Sequence, residues 1–132
     1  MLELTNVAAL YFSPGTKYSN GIGVFNAWEK SKLDPEVHRL VKYLVYWVAG
    51  TKLIFIALLI VILFTADVTT QWFASLAMVL SIASFFWKLF PLIRTMDQDD
   101  QISPKKYSKT LGVMIVVFMG MFVLALIFDW PF

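Results

Sequence analysis

Three long apolar stretches, at residues 44–66, 70–93 and 111–128, constrain this chain more than any other feature of its sequence. A helix rises ~1.5 Å per residue, so ~20 mostly apolar residues are needed to cross a ~30 Å hydrocarbon layer. Two of the stretches meet that length and the third comes close. The pattern predicts an all-α membrane protein with three transmembrane helices.

The composition supports the same fold class. The chain is 59% hydrophobic and 15% charged, whereas an ordinary soluble domain carries about 25% charged residues. A soluble bundle is excluded because none of the three stretches has a polar face to turn toward water. Cysteine is absent, which excludes disulfides, thiolate nucleophiles and Cys-based metal sites.

The chain divides into six predicted segments. Asp34 and Pro35 carry the strongest helix-start signal, as N-cap and first helical residue. The segments are an irregular, aromatic N-terminal arm in the cytoplasm or at the interface (1–33), a long first helix (34–66, membrane part about 44–66), a second transmembrane helix (70–93), a cytoplasmic charged loop (94–109), a third transmembrane helix (110–128) and an external tail (129–132).

The basic residues predict how the protein is oriented. All 11 Lys and Arg side chains fall on one side of the three-span arrangement: before the first span, between the second and third, or inside a span toward that side. The turn at 67–69 and the tail after residue 128 have none. The positive-inside rule predicts a cytoplasmic N-terminus and an external C-terminus. We expect the bacterial inner (plasma) membrane as the location.

Aromatic side chains cluster where the spans should meet water. Trp and Tyr favour the headgroup level because a flat apolar ring carries one polar group. We therefore interpret six of them as interfacial anchors rather than as stacking partners of a pigment or ligand: Tyr43, Tyr46, Trp47, Trp72, Trp87 and Trp130.

Lys52 is the most unusual residue, because it lies well inside the first span. An ammonium at membrane depth costs ~2.5–3.5 kcal/mol on insertion scales. No carboxylate lies within any span, so we expect no ion pair at depth. Three explanations stay open: snorkelling of the side chain to lipid phosphate, pairing with a partner subunit or a carbonyl, and a transport role. Lys88 and Arg94 are likewise expected to contact headgroups or a partner.

Small residues line one face of the second span. Spaced by three or four positions, they share one side of a helix, and they form the small-residue stripe: Ala74, Ala77, Ser81, Ser84 and Lys88. Membrane helices pack through small residues because close backbone approach gains dispersion contacts. We expect the stripe to form a helix–helix contact. The opposite face carries larger side chains: Trp72, Leu76, Val79, Phe86 and Phe90.

Residues that carry catalysis or bind cofactors are scarce. No nucleophile, base and orienting group come together, and there is no glycine-rich phosphate loop, so we expect no enzyme and no catalytic residue. Asp97, Asp99 and Asp100 lack the spacing of a calcium loop and are interpreted as a solvated loop. No metal or cofactor is predicted beyond bound lipid, the one alternative being pigment or haem ligation by His38, the only histidine.

These observations lead to an expected role. The chain should be an accessory, non-catalytic subunit that docks on and stabilises a larger membrane complex, with the lipid bilayer and other integral membrane subunits as partners. Nucleic acid is not expected, because topology already explains the basic residues. The alternative is a homo-oligomeric holin-like or channel-like protein, which needs a polar lining. Ser81, Ser84 and Lys88 supply such a lining along only half of the second span.

Overall fold

The computed structural model describes residues 2–132, and all the secondary-structure elements assigned in that range are helices. Six α-helices follow in chain order: α1 (Leu2–Phe12), α2 (Asn26–Ser31), α3 (Pro35–Thr65), α4 (Val68–Ala83), α5 (Leu89–Gln98) and α6 (Tyr107–Phe128). Two short 3-10 turns, Ile22–Val24 and Ser84–Phe86, complete the set. The prediction of an all-α protein is confirmed.

Three helical segments are long and apolar enough to cross a membrane: Pro35–Thr65, Val68–Gln98 and Tyr107–Phe128. The middle segment contains α4, the 3-10 turn Ser84–Phe86 and α5. The prediction of an integral membrane protein with three spans and a long first helix is therefore confirmed.

The first span begins at the predicted signal. The Asp34 carboxylate accepts hydrogen bonds from the backbone N–H groups of Glu36 (2.9 Å) and Val37 (3.3 Å), and Pro35 has no N–H that needs a partner. The helix then continues for 31 residues to Thr65. Such a helix extends ~46 Å, so its first turns reach beyond a ~30 Å hydrocarbon layer.

One compact unit contains the residues up to Ile60 together with Gln101–Pro104. Here the prediction of an irregular N-terminal arm is wrong, because much of the arm is helical in α1 and α2. An isolated helix as short as α1 is marginal in water. α1 gains its stability by packing on α3, where Leu10 forms a cluster with Val45 and Ala49.

The arm also pairs with the loop that precedes α6. The Asn26 N–H donates to the Gln101 carbonyl (2.9 Å), and the Ser103 N–H donates to the Val24 carbonyl (2.8 Å). Three apolar side chains in or beside these segments are buried: Val24, Trp28 and Ile102. This contact requires the arm and the loop to lie on the same side of the membrane.

The other unit, Val61–Asp100 with Lys105–Phe132, contains α4, α5 and α6. α4 and α6 pack along each other, with Met78 buried on α4 and Gly112 buried on α6.

The charged loop begins later than the sequence predicts. The chain stays helical through Arg94 as far as Gln98, because α5 packs through its buried Ile93. The first half of α5, residues 89–93, belongs to the predicted second helix, and only residues 94–98 fall in the predicted charged loop.

Candidate functional site

Lys52 forms an ion pair within the chain, with a carboxylate that lies outside the three spans. Its Nζ lies 3.0 Å from Glu3 Oε2 and 2.7 Å from Asn6 Oδ1, both on α1. The side chains of Lys52 and Glu3 are 35% and 41% exposed. The Lys52 ammonium is therefore neutralised by α1, a helix that the sequence analysis did not predict to lie beside it. We call Glu3, Asn6 and Lys52 the charge site.

Asn6 is the buried centre of the charge site, with 4% of its surface exposed. Its amide oxygen accepts from Lys52, and its amide nitrogen donates to the carbonyls of Ser19 and Asn20. Both loop residues have positive φ angles, of 53° and 54°. An amide can donate and accept at once, so Asn6 connects Lys52 to the loop that follows α1.

Two contacts fix the direction of α1. Glu3 pairs with Lys52 at one end, and the Tyr11 ring stacks on Tyr46 at the other, with centroids 6.0 Å apart. Because the later residue of α1 meets the earlier residue of α3, the two helices run antiparallel. The Glu3 end of α1 therefore points along α3 toward the middle of the first span.

Sequence reasoning missed Glu3 and Asn6 because they lie 49 and 46 positions from Lys52. A helical spacing was nevertheless present. Glu3, Asn6 and Leu10 are separated by three and four positions and so share a helix face. One carboxylate and one amide on a short, otherwise apolar face was the signal that could have identified partners for an intramembrane lysine.

A shallow groove of about 360 Å³ opens beside the charge site. Residues of α3 line it: Leu44, Trp47, Val48, Thr51 and Lys52. The Thr51 hydroxyl donates to the Trp47 carbonyl (2.9 Å), so its hydrogen is already used. The groove is mostly apolar, which suits contact with lipid or with a neighbouring helix.

Within the chain, the small-residue stripe is not the helix–helix contact. Ala74 is half-buried, but the other four members, Ala77, Ser81, Ser84 and Lys88, are exposed. The Ser84 hydroxyl donates to the Ser81 carbonyl (2.6 Å), as serines in membrane helices often do. Contact of the stripe with another chain stays a prediction.

α6 instead meets the larger side chains of the second span. A Cβ atom built on Gly112 would lie 2.8 Å from the Phe90 ring, so the glycine allows that ring to approach. Met78 is 6% exposed, and the Trp72 indole N–H donates to the Leu126 carbonyl (3.0 Å). The small residue lies on α6 and the bulk on α4 and α5, the reverse of our expectation.

The predicted anchors Trp72 and Trp130 belong to an aromatic cluster. The Trp72 ring lies 5.2 Å from Phe73, 5.4 Å from Trp130 and 5.7 Å from Phe132, measured between centroids. All three pairs are edge-to-face, the arrangement that the ring quadrupoles favour. These rings hold the chain end against the start of α4.

The remaining anchors are more exposed. Tyr43 and Trp47 form a tilted pair with centroids 5.8 Å apart. Trp87 is 78% exposed and has the Lys88 ammonium 5.7 Å from its ring centroid. Arg94 is exposed on α5. Contact of Lys88 and Arg94 with lipid headgroups or a partner stays a prediction.

The turn between α3 and α4 is closed by hydrogen bonds. The Asp67 carboxylate accepts hydrogen bonds from the Thr70 hydroxyl and from the Thr70 backbone N–H (3.2 Å). The hydroxyl first and the N–H second lower the pKa of Asp67 below its usual 3.8. The Gln71 amide donates to the carbonyls of Leu63 (3.2 Å) and Ala66 (3.1 Å). Free N–H groups of α4 and free carbonyls of α3 are thereby satisfied.

Asp97, in the last turn of α5, and Asp100, just after the helix, have separate partners. Asp97 accepts the N–H of Lys106 (2.9 Å) and both the N–H (3.1 Å) and hydroxyl (2.6 Å) of Ser108, which caps the start of α6. Asp100 pairs with Lys105 at 3.1 Å on the surface. Across residues 2–132, no three His, Cys, Asp or Glu side chains group as a metal site requires.

His38 packs α2 onto the start of α3. Its Nδ1 lies 2.8 Å from Ser31 Oγ, and its ring centroid lies 4.9 Å from that of Trp28. The Ser31 hydroxyl donates its hydrogen to the Trp28 carbonyl (2.7 Å), so Oγ accepts from the imidazole N–H. The imidazole thus helps to hold α2 against α3, and its role as a pigment or haem ligand stays a prediction.

Comparison with known proteins adds no functional assignment. No family model, no curated protein and no solved structure matches this chain.

Proposed function

We propose that this chain is an accessory, non-catalytic membrane subunit that docks on a larger membrane complex and stabilises it. The supporting observation is how little of each span the chain covers itself. In the most apolar part of each span, the buried share of the residues is 6% for the first span, 11% for the second and 6% for the third. These faces are left for lipid or for helices of other subunits.

The small-residue stripe is the face that we assign to docking. Four of its members are exposed, so the chain leaves this face free. Between helices in lipid, small residues gain more from close packing than lipid tails can supply. An apolar face of large side chains would gain less from exchanging lipid for protein.

The orientation that we propose follows from the charges. The contact between residues 24–26 and 101–103 keeps the arm and the second loop on one side. Since all 11 basic residues belong to that side, the positive-inside rule makes it the cytoplasm of a bacterial cell. The docked complex would then belong to the inner membrane.

Purification of the tagged chain from its native membranes in a mild detergent tests the proposal. We expect a fixed set of other subunits to copurify. Ala77→Leu and Lys88→Leu should lower their yield, whereas Ala57→Leu, an enlargement at an exposed position of α3, should not. Purification of the chain without other subunits, or equal yields for all variants, would contradict the proposal.

The alternative proposal is a homo-oligomeric, holin-like or channel-like protein. One observation favours it: Ser81, Ser84 and Lys88 are polar and exposed on one helix face. A pore needs such a lining along the whole membrane, and the stripe is apolar at Ala74 and Ala77. Recovery of a ring of identical chains in the same purification would favour this alternative.

A further inference from the structure

The position of Lys52 along α3 gives its depth in the membrane. Counting ~20 residues back from Thr65, the number that crosses a ~30 Å hydrocarbon layer, places the cytoplasmic boundary near Tyr46. Aromatic anchors at Tyr43 and Trp47 agree with that boundary. Lys52 is six residues further along the helix, which corresponds to ~9 Å inside the hydrocarbon.

α1 must reach the same depth. Tyr11 stacks on Tyr46 at the boundary, and Glu3 pairs with Lys52 inside it. The rise from Tyr11 back to Glu3 is ~12 Å, enough to span this distance. Leu4 and Phe12 are 44% and 86% exposed on α1 and would contact lipid.

Neither charge is favourable alone at this depth, because hydrocarbon solvates neither a carboxylate nor an ammonium. Together they form a pair at 3.0 Å, and the Asn6 amide oxygen accepts a further hydrogen bond from Lys52 while its amide nitrogen donates to the Asn20 carbonyl. α1 itself has no Lys or Arg, so it has no basic side chain of its own that could bind a lipid phosphate.

We infer that α1 is a re-entrant helix whose entry into the membrane depends on the Glu3–Lys52 ion pair. With both charges present, Glu3 and Lys52 neutralise each other as α1 inserts beside α3. Without Lys52, the Glu3 carboxylate returns to water and takes α1 to the membrane surface. The inference concerns the chain itself and is independent of its proposed docking role.

Cysteine labelling of the full chain in phospholipid nanodiscs tests this inference, since the natural sequence has no cysteine. Leu4→Cys reports on α1, and Tyr18→Cys, in an 83% exposed loop position, is the reference. A water-soluble maleimide should react about tenfold or more slowly at position 4, because the reactive thiolate is disfavoured in apolar surroundings.

Lys52→Ala should raise the rate at position 4 to that of the reference, and the exchange Glu3→Lys with Lys52→Glu should restore protection. Lys52→Met serves as a second variant of similar length. Lys32→Ala, which removes the exposed 2.8 Å pair with Glu29, is the matched control and should change nothing. Fast labelling of Leu4→Cys in the parent chain, continued protection in both Lys52 variants, or no recovery in the exchange would each overturn the inference.

Discussion

The two units of this chain hold their helices together by different means. In one, α1 contacts α3 through the charge site and a small apolar cluster at Leu10 and Val45. In the other, α4 and α5 contact α6 through Met78, Gly112 and Phe90, with no charged side chain buried among them. Both solutions occur in one membrane protein of 132 residues.

The difference follows from what each helix offers to the contact. α1 has 11 residues, too few to gain much from dispersion alone, so specific polar contacts must add to its stability. α6 has 22 residues and a glycine against which an aromatic ring can pack. The first unit should therefore be sensitive to the loss of a hydrogen bond, and the second to a change of shape.

Asn6→Leu is the substitution with the largest expected effect on the first unit. It removes the hydrogen bond from Lys52 and the two hydrogen bonds that the Asn6 amide donates to the carbonyls of Ser19 and Asn20. A hydrogen bond to a charged group such as Lys52 contributes about 1.5–3 kcal/mol, and we expect a loss of about 3 kcal/mol here because two further hydrogen bonds are lost with it. Reversible unfolding by SDS in mixed micelles measures the change. Ala8→Leu, at an exposed position of α1, should cost much less, and equal costs would remove the distinction between the units.

Gly112→Val is the corresponding test of the second unit. The added side chain meets the Phe90 ring, whose nearest atom lies 2.8 Å from the position of the new Cβ. Overpacking of this kind typically costs about 1–3 kcal/mol, and we expect about 2 kcal/mol. Gly120→Val adds the same side chain to the same helix where a Cβ has no neighbour within 4 Å. SDS unfolding of both variants isolates the contact, and the account fails if Gly120→Val costs as much.

Much of the fold could be predicted from the sequence because its signals are local. The lengths of the apolar runs predict three spans, and Asp34 and Pro35 predict the start of the first. The partners of Lys52 could not be predicted so directly, because Glu3 lies 49 positions away in a helix that is stable only when packed.

The choice of packing face shows a second limit. Small residues at Ala77 and Ser81 indicate that a helix can approach closely, but not that one of the same chain does so. The decisive residue was Gly112, on the other helix, and its neighbour Phe90 belongs to the face that we had set aside. That a glycine on one helix fits a ring on another can be recognised only once the registers of the two helices are known.

Trp72→Phe sharpens the comparison by removing one polar contact from the otherwise apolar unit. An aromatic ring of smaller size stays in place, and the hydrogen bond to the Leu126 carbonyl (3.0 Å) is lost. Hydrogen bonds between membrane helices average about 0.6 kcal/mol, so we expect a loss of that size in SDS unfolding. Trp87→Phe, at a ring that is 78% exposed, is the control and should be neutral. A loss above that of Gly112→Val would mean that this unit also depends on polar contacts.

The smallest expected effect is at Asp67, in the turn outside the spans. Because hydrogen bonds from Thr70 lower the pKa of Asp67 below 3.8, its stabilising contribution is present above that pH. The contribution is lost as pH falls through the lowered pKa. Titration of the carboxyl by NMR should give a midpoint below 3.8, and Thr70→Val should move it upward. A midpoint at or above the usual value in the parent chain would contradict the capping role.

The central claim is that lipid surrounds the outer faces of three spans, and sided cysteine labelling in intact spheroplasts and inside-out vesicles tests it most directly. We expect Tyr18→Cys and Asp99→Cys to react from the cytoplasmic side only, Asp129→Cys from the opposite side only, and Ile54→Cys from neither. Reaction of Ile54→Cys with a water-soluble reagent, or of Tyr18→Cys and Asp129→Cys from the same side, would contradict the account.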